Sequence, residues 1–211
     1  MSTIWDHRLR GLYVIIDHQV AGGRDEVALA QAVLKGGASI LQWRDKTRPK
    51  GLQLPVAEAI SRLCREAGVP FIVNDHLDLA LACGAQGVHL GQHDLPVAVV
   101  RRLAPRDFIV GCSTNNVAEA LRAQQEGADY VSVGRLFPTA SKVDTRPATL
   151  DTLRAVKGAV RVPVCAIGGI DESNVRLVLE AGADMVAVIG AVVSAPDPRE
   201  ATLRLAFHFR R

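Results

Sequence analysis

Aromatic side chains are scarce in this chain: two Trp, two Tyr and five Phe amount to 4% of its 211 residues. That is too few for the stacking platforms on which proteins hold single-stranded nucleic acid. Charge of one sign is also lacking. The formal net charge is +3 and the sequence pI about 8.8, without the basic blocks of a nucleic-acid-binding arm. This mild balance suits small anionic substrates. Four cysteines, Cys64, Cys83, Cys112 and Cys165, are scattered without CxxC spacing. They imply neither a zinc site nor a redox motif and make a reducing cytoplasm the expected compartment. No apolar run reaches bilayer-spanning length, and the polar start from Met1 to Arg10 holds no signal-peptide core. Linkers and low-complexity tracts are missing as well. At 48% hydrophobic and 22% charged, the composition is that of an ordinary globular protein, and a single domain over 1–211 is expected.

What the chain does contain is a repeat. Gly37-Ala38-Ser39-Ile40-Leu41, Gly84-Ala85-Gln86-Gly87-Val88, Gly127-Ala128-Asp129-Tyr130-Val131 and Gly182-Ala183-Asp184-Met185-Val186 recur at intervals of about 43 to 55 residues. Each follows an amphipathic run with helical spacing and opens a short apolar run with strand character. Gly supplies the left-handed end of a helix, Ala packs closely, and the chain then enters a buried strand. Further helix-to-strand entries, Gly68-Val69-Pro70-Phe71 and Arg161-Val162-Pro163-Val164, lie between the copies. Two strand–helix units per repeat make eight, which predicts an α/β fold: one closed (βα)₈ TIM barrel of eight parallel strands. Strands are expected to end near Asp17, Gln42, Asn74, His89, Gly111, Val133, Ile167 and Val188. Helices are expected over Asp25–Gly36, Leu52–Ala67, Leu77–Cys83, Pro96–Leu103, Asn116–Glu126, Leu150–Lys157, Glu172–Ala181 and Pro198–Phe209. Near-continuous apolar runs such as Leu12-Tyr13-Val14-Ile15-Ile16 suit parallel strands buried on both faces.

In such a barrel the chemistry sits at the C-terminal ends of the strands. There the sequence places Gln42, Arg44 and Lys46 on one face, then Asn74-Asp75, Gln92-His93-Asp94, Ser113, Thr139-Ala140-Ser141-Lys142, Gly168-Gly169 and Ile189-Gly190. Asp75 and Asp94 follow neighbouring strands and can reach one ion. Mg²⁺ favours one or two carboxylates with waters and phosphate oxygens, so the pair, beside Arg44, Lys46 and Lys142, reads as a magnesium–pyrophosphate site. Taken singly, Asp75 or Asp94 reads equally well as the N-cap of the helix that follows. Gly168-Gly169 and Ile189-Gly190 stand after the seventh and eighth strands, where barrels bind phosphate through backbone N–H groups. A tight strand-to-helix turn without a ligand is the plainer alternative.

Other residues invite less. Lys46 and Lys142 lie in no apolar strand that would favour a Schiff base. His89 and His93 match no standard zinc spacing, and His7, His18, His76 and His208 are expected at the surface. Cys112, without a partner base, is expected to be a small packing residue, and Trp43 to pack against an outer helix.

Taken in order, Gln42-x-Arg44-x-Lys46, Asn74-Asp75-x-x-Asp78-Leu79-Ala80, Gly87-Val88-His89-Leu90-Gly91-Gln92-x-Asp94, Gly134-x-x-Phe137-Pro138-Thr139-x-Ser141-Lys142 and Ala166-Ile167-Gly168-Gly169-Ile170 resemble the thiamine-phosphate synthase family. The likeness runs from about Leu12 to the C-terminal helix. It implies a transferase of thiamine biosynthesis that joins a hydroxymethylpyrimidine pyrophosphate to a hydroxyethylthiazole phosphate, releasing pyrophosphate. By resemblance, Gln42, Arg44, Lys46, Asn74, Ser113 and Lys142 hold the pyrimidine pyrophosphate, with Arg44, Lys46, Ser113 and Lys142 catalytic, and Asp75 and Asp94 hold one Mg²⁺. Thr139, Ala140, Ser141, Gly168, Gly169, Ile189 and Gly190 receive the thiazole phosphate. Phosphorylated small molecules are then the partners, without nucleic acid or membrane; a homo-oligomer is compatible. The family's step is dissociative, which needs charge stabilisation more than acid–base groups. This chain departs from the pattern at Arg135, where Pro is common, at Ser141 for Thr, at Gly190 for Ser and at Asn115 for His. A thiazole tautomerase would use that His and lack the Asp pair. A non-catalytic binding or regulatory relative would have lost the Asp pair or Lys142, and a sugar-phosphate isomerase or aldolase has no need of the pair.

Overall fold

The computed structural model describes residues 9–139 and 146–209. Eight strands, β1 (Gly11–Asp17), β2 (Ile40–Arg44), β3 (Phe71–Asn74), β4 (Gly87–Leu90), β5 (Ile109–Thr114), β6 (Tyr130–Val133), β7 (Val164–Ile167) and β8 (Met185–Val188), run parallel. They pair in chain order, and β8 pairs with β1 to close the barrel. Around it lie α1 (His18–Ala21), α2 (Glu26–Lys35), α3 (Lys50–Ala67), α4 (Leu77–Ala82), α5 (Val97–Leu103), α6 (Val117–Gln125), α7 (Leu150–Ala159), α8 (Val175–Glu180), α9 (Gly190–Val193) and α10 (Pro198–Phe207). None of the described helices is long and apolar enough to cross a membrane.

The repeated Gly-Ala-x entries have a physical cause. Gly37, Gly84, Gly127 and Gly182 all have positive φ, between 68° and 99°, a conformation that glycine adopts without a Cβ penalty. The residue two further on then supplies an acceptor to a neighbouring strand. Gln86 Oε1 takes the Phe71 N–H (2.9 Å), Asp129 Oδ2 takes the Val110 N–H (2.7 Å), and Asp184 Oδ2 takes the Val164 N–H (2.9 Å). Arg101 and Lys157 hold the two aspartates from the helices α5 and α7. In the first copy Ser39 instead packs beneath Gly11, where a Cβ would lie 2.3 Å from its Oγ. Each stitch fixes the register of one strand pair at the N-terminal end of the barrel.

Apolar side chains divide between two compartments. Tyr13, Ile15, Ile40, Ile72, Ile109, Tyr130, Cys165, Met185 and Ala187 point into the barrel, while the alternating set, including Leu41, Trp43, Val73, Val88 and Val131, faces the helices.

Strands β1, β3, β6, β7 and β8 end where the sequence predicts, but β2, β4 and β5 run on past Gln42, His89 and Gly111 to Arg44, Leu90 and Thr114. Gly111 is not a strand end. It makes room for an aromatic ring: a Cβ there would lie 2.1 Å from Tyr130 Cζ. The one-turn helices α1 and α9 are too short to leave a periodic signal. Asp17 caps α1, its Oδ1 accepting from the N–H groups of Gln19 (3.0 Å) and Val20 (3.2 Å). Helix α8 starts at Val175 rather than Glu172, because residues 171–174 form a turn closed by Asp171 and Asn174.

Because overpacking a filled interior costs about 1–3 kcal/mol, Gly111→Ala is expected to lower unfolding free energy in urea by roughly that amount at unchanged m-value. A variant as stable as the parent would show that the Tyr130 ring is not held against β5.

Candidate active site at the strand C-terminal ends

Inward-facing positions at the tops of β1 to β5 carry polar side chains. Gln42 and Arg44 share the inner face of β2, opposite Ile15 and Asp17 of β1. Arg44 pairs with the Asp17 carboxylate, and Gln42 Nε2 donates to the Tyr13 hydroxyl (2.7 Å). Each nevertheless keeps one polar atom buried without a partner: Gln42 Oε1 and Arg44 Nε. Buried polar atoms are almost always satisfied, so two left open on one face mark a place where a ligand completes the bonding. Asn74 lies buried at the end of β3.

Asp75 follows Asn74 and is, among the described residues, the one non-glycine with positive φ (62°). Asp tolerates this region better than most residues, yet holding it there costs about 1 kcal/mol or more. Its N–H is bonded to His89 O (2.8 Å), and Lys46 Nζ stands 2.9 Å from its carboxylate. Asp94 Oδ2 accepts from Gly91 N (2.6 Å), and the two carboxyl groups lie within hydrogen-bonding reach of one another. Neither caps a helix: α4 and α5 begin after His76 and Pro96, both without a side-chain cap bond. Burial alone would push the Asp75 carboxyl up, but Lys46 and Asp94 hold it below the usual range. Burial and then the neighbouring Asp75 push Asp94 above it. Two carboxyls crowded around one point, one of them in a strained backbone, match the donor set of a cation that takes the rest of its ligands from water and phosphate. Among the described residues no group of three or more His, Cys, Asp or Glu forms a fuller cage.

Lys46 is half-exposed on a short loop that is itself tightly anchored. Asp45 accepts from Thr47 N (2.8 Å), Thr47 Oγ1 (2.9 Å) and Arg48 N (3.1 Å), and its carboxylate pairs with Arg48. Burial opposes ionisation of Asp45, yet Arg48 and the loop N–H groups bring its pKa down to about 2. Arg48 Nη2 also reaches both oxygens of buried Glu26 (2.9 and 2.7 Å), which accepts from Trp43 Nε1 at 3.2 Å. Trp43 thus packs toward outer helix α2, as expected. His18, expected at the surface, is instead half-buried with Nδ1 on Glu26. Glu26, Asp45 and Arg48 escape a reading of the sequence because Glu26 lies far from the other two in the chain and meets them only after folding.

Ser113 Oγ lies 2.8 Å from His89 Nε2 on the neighbouring strand. His89 is buried and bonded to the Tyr130 hydroxyl as well, consistent with its lack of zinc spacing. Burial pushes the Cys112 thiol up to about 11, in keeping with a packing role.

The far half of the mouth is built from backbone. Gly168 (φ 104°) and Gly169 (φ 64°) turn the chain after β7. A Cβ on Gly168 would meet Arg135 Cα at 2.6 Å, and one on Gly169 would meet Pro138 O at 2.4 Å. Leu136 N and Phe137 N donate to Ile167 O (3.1 Å) and Gly168 O (3.0 Å). The glycine pair therefore seats the loop after β6, which delivers Thr139. Asn115 closes the base of that loop, donating through Nδ2 to Gly134 O (3.0 Å) and Arg146 O (3.1 Å). Arg146 in turn pairs with Glu119. Ile189 and Gly190 open α9, whose first turn has no side-chain cap. Ala140, Ser141 and Lys142 lie outside the described residues. The fold thus brings Gln42, Arg44, Lys46, Asn74, Asp75, Asp94 and Ser113 to one side of the mouth and Thr139, Gly168, Gly169, Ile189 and Gly190 to the other.

A family model described as thiamine monophosphate synthase matches residues 12–192. The thiamine-phosphate synthase of Shouchella clausii is 47% identical over 195 residues, 92% of this chain and 93% of that protein. That of Methanospirillum hungatei is 47% identical over 197 residues, 93% and 96% of the two. Among solved structures, thiamine phosphate pyrophosphorylase from Pyrococcus furiosus superposes with a TM-score of 0.87 at 40% identity, covering 94% of each chain. A 3-hexulose-6-phosphate synthase, at 21% identity and a TM-score of 0.68, shares the barrel alone. The chain belongs to the thiamine-phosphate synthase family and is a transferase of thiamine biosynthesis.

Proposed function

We propose that this chain, acting as one barrel domain, couples a hydroxymethylpyrimidine pyrophosphate to a hydroxyethylthiazole phosphate, giving thiamine phosphate and pyrophosphate with the help of one Mg²⁺. The observation that carries the substrate half is the pair of unanswered buried atoms on β2. Gln42 Oε1 offers an acceptor to an N–H of the pyrimidine, and Arg44 Nε offers a donor to the pyrophosphate. Asn74 and Ser113 add polar contacts around the ring. Asp75 and Asp94 would hold the Mg²⁺; when bound it supplies positive charge against the leaving pyrophosphate.

The chain's own groups are arranged for charge rather than for proton transfer. Breaking the bond between the pyrimidine methylene and the pyrophosphate leaves a carbocation and a trianion-like leaving group, and the thiazole nitrogen then captures the cation. Arg44 and Lys46, with Lys142, hold the departing pyrophosphate. Thr139, Ala140 and Ser141, the Gly168-Gly169 turn and Ile189-Gly190 hold the thiazole phosphate, which fixes the nucleophile. Asn115, whose Nδ2 donates to three backbone carbonyls, carries a non-basic amide where the proton transfer of a tautomerase requires a base. The free, buried cysteines fit a protein that works in the cytoplasm.

With both substrates and Mg²⁺, purified protein is expected to release thiamine phosphate and pyrophosphate, and EDTA to abolish product; equal turnover with and without EDTA would remove the metal from the reading. Asp75→Asn and Asp94→Asn are each expected to lower kcat by about 100-fold or more while leaving the thermal transition within a few degrees of the parent. Near-parental turnover in either would take that residue out of the site. Because Asp94 keeps its proton to higher pH than an ordinary carboxyl, Mg²⁺ and that proton compete as the pH falls. Affinity measured by calorimetry is therefore expected to fall as pH is lowered, with more protons released per ion bound, whereas a pH-independent affinity would place the cation elsewhere.

A further inference from the structure

A file of hydrogen bonds crosses the barrel interior beneath the mouth and joins Gln42 on β2 to Ser113 on β5. Gln42 Nε2 donates to the Tyr13 hydroxyl at 2.7 Å, and the Tyr13 and Tyr130 hydroxyls lie 3.0 Å apart. Tyr130 Oη is 2.9 Å from His89 Nδ1, and His89 Nε2 is 2.8 Å from Ser113 Oγ. Tyr13, Tyr130 and His89 are all buried. Their rings are locked by packing: Tyr13 meets Tyr130 edge-on, with centroids 6.1 Å apart, and Tyr130 stacks on His89 at 5.5 Å. The slot for Tyr130 exists because Gly111 lacks a side chain.

Counting protons gives the file a direction. An amide nitrogen only donates, and a hydroxyl has one proton to give. With both phenol protons used inside the file, Tyr13 accepts from Gln42 and donates to Tyr130, and Tyr130 donates to His89 Nδ1. A neutral His89 ring then carries its proton on Nε2, toward Ser113 Oγ, which leaves the serine's own proton for the mouth. At the other end the bond from Nε2 to Tyr13 leaves Gln42 Oε1 buried and without a partner. Burial pushes both phenols far above their ordinary range, so both keep the protons the file needs.

We propose that Tyr13, Tyr130 and His89 are positioning residues whose hydrogen-bond polarity presents Gln42 as an acceptor and Ser113 as a donor to the pyrimidine pyrophosphate. The inference rests on the assignment of Gln42 and Ser113 to that substrate. Without the file, either group rotates or flips between donor and acceptor, and the site loses its preference for one pattern of donors and acceptors on the ligand.

The test is a double-mutant cycle with an independent spectroscopic readout. Tyr130→Phe keeps the ring and removes one link. It is expected to lower kcat/KM for the pyrimidine pyrophosphate about tenfold while the KM for the thiazole phosphate stays within about twofold. In a Ser113→Ala background the same substitution is expected to cost clearly less than about tenfold, since the share of its effect that passes through the serine is already lost. Equal fold-losses in both backgrounds would overturn the inference, because a merely structural role multiplies through. Should Tyr130→Phe lose its cooperative thermal transition, Tyr13→Phe takes its place in the same cycle. Long-range ¹H–¹⁵N spectra of the parent are expected to show the His89 proton on Nε2; a proton on Nδ1 would reverse the polarity and sink the proposal. If the parent forms no thiamine phosphate, the synthase reading fails on its own. The cycle is then read from pyrimidine pyrophosphate binding by calorimetry, with the same two outcomes, and an absence of binding overturns the inference as well.

Discussion

At the N-terminal end of the barrel, strands β3, β5 and β7 each present a backbone N–H that is taken up by the side chain preceding the next strand. Gln86, Asp129 and Asp184 supply those acceptors. A slip of one residue in any of these pairs would leave the N–H unmet and turn every inward side chain outward. The stitches therefore do more than join strands. They set the relative height of the strands they join, and with it which residues arrive together at the far end. Asn74 and His89, on the joined pair β3 and β4, arrive side by side in that way.

What arrives there is divided by its chemistry. The β2–β5 side offers side chains: two cations, a crowded carboxyl pair and two buried atoms without partners. The β6–β8 side offers mostly main chain, shaped by glycine turns and a loop whose base Asn115 and Arg146 hold. A substitution that proceeds by departure of an anion needs such a division, with fixed charge on one side and a held nucleophile on the other. The anchored loop after β2 belongs to the same economy of movement. Asp45, Arg48 and Glu26 immobilise the backbone on either side of Lys46, so that only its side chain remains to be ordered by a ligand.

Much of this was legible before folding was considered. The Gly-Ala-x copies foretell the strand–helix count, and charged residues after apolar strands foretell the mouth. The ambiguity between cap and metal ligand at Asp75 and Asp94 needed the backbone, since only the observed starts of α4 and α5 show that neither carboxyl caps. Tyr13, Tyr130 and His89 were hidden for a different reason. In a continuous apolar strand an inward tyrosine looks like core, and its hydroxyl declares a role only when partners from two other strands meet it. Gly111 misled for the complementary reason: glycine at the end of an apolar run signals a turn, whereas here it records the volume of a ring from the next strand. The Gly168-Gly169 turn matched its expected place, but the close approach it permits is that of the preceding loop.

The left-handed backbone at Asp75 also limits how this position can change over time. Residues tolerated there are glycine, asparagine and aspartate, and of these only aspartate carries charge. Glutamate, the exchange that would keep the charge elsewhere, brings a longer side chain with no comparable tolerance for that conformation. The turn therefore acts as a filter on descent: a lineage either retains aspartate or abandons the negative charge outright, with no graded intermediate. Asn or Gly at this position suits the same backbone and removes the negative charge in a single step.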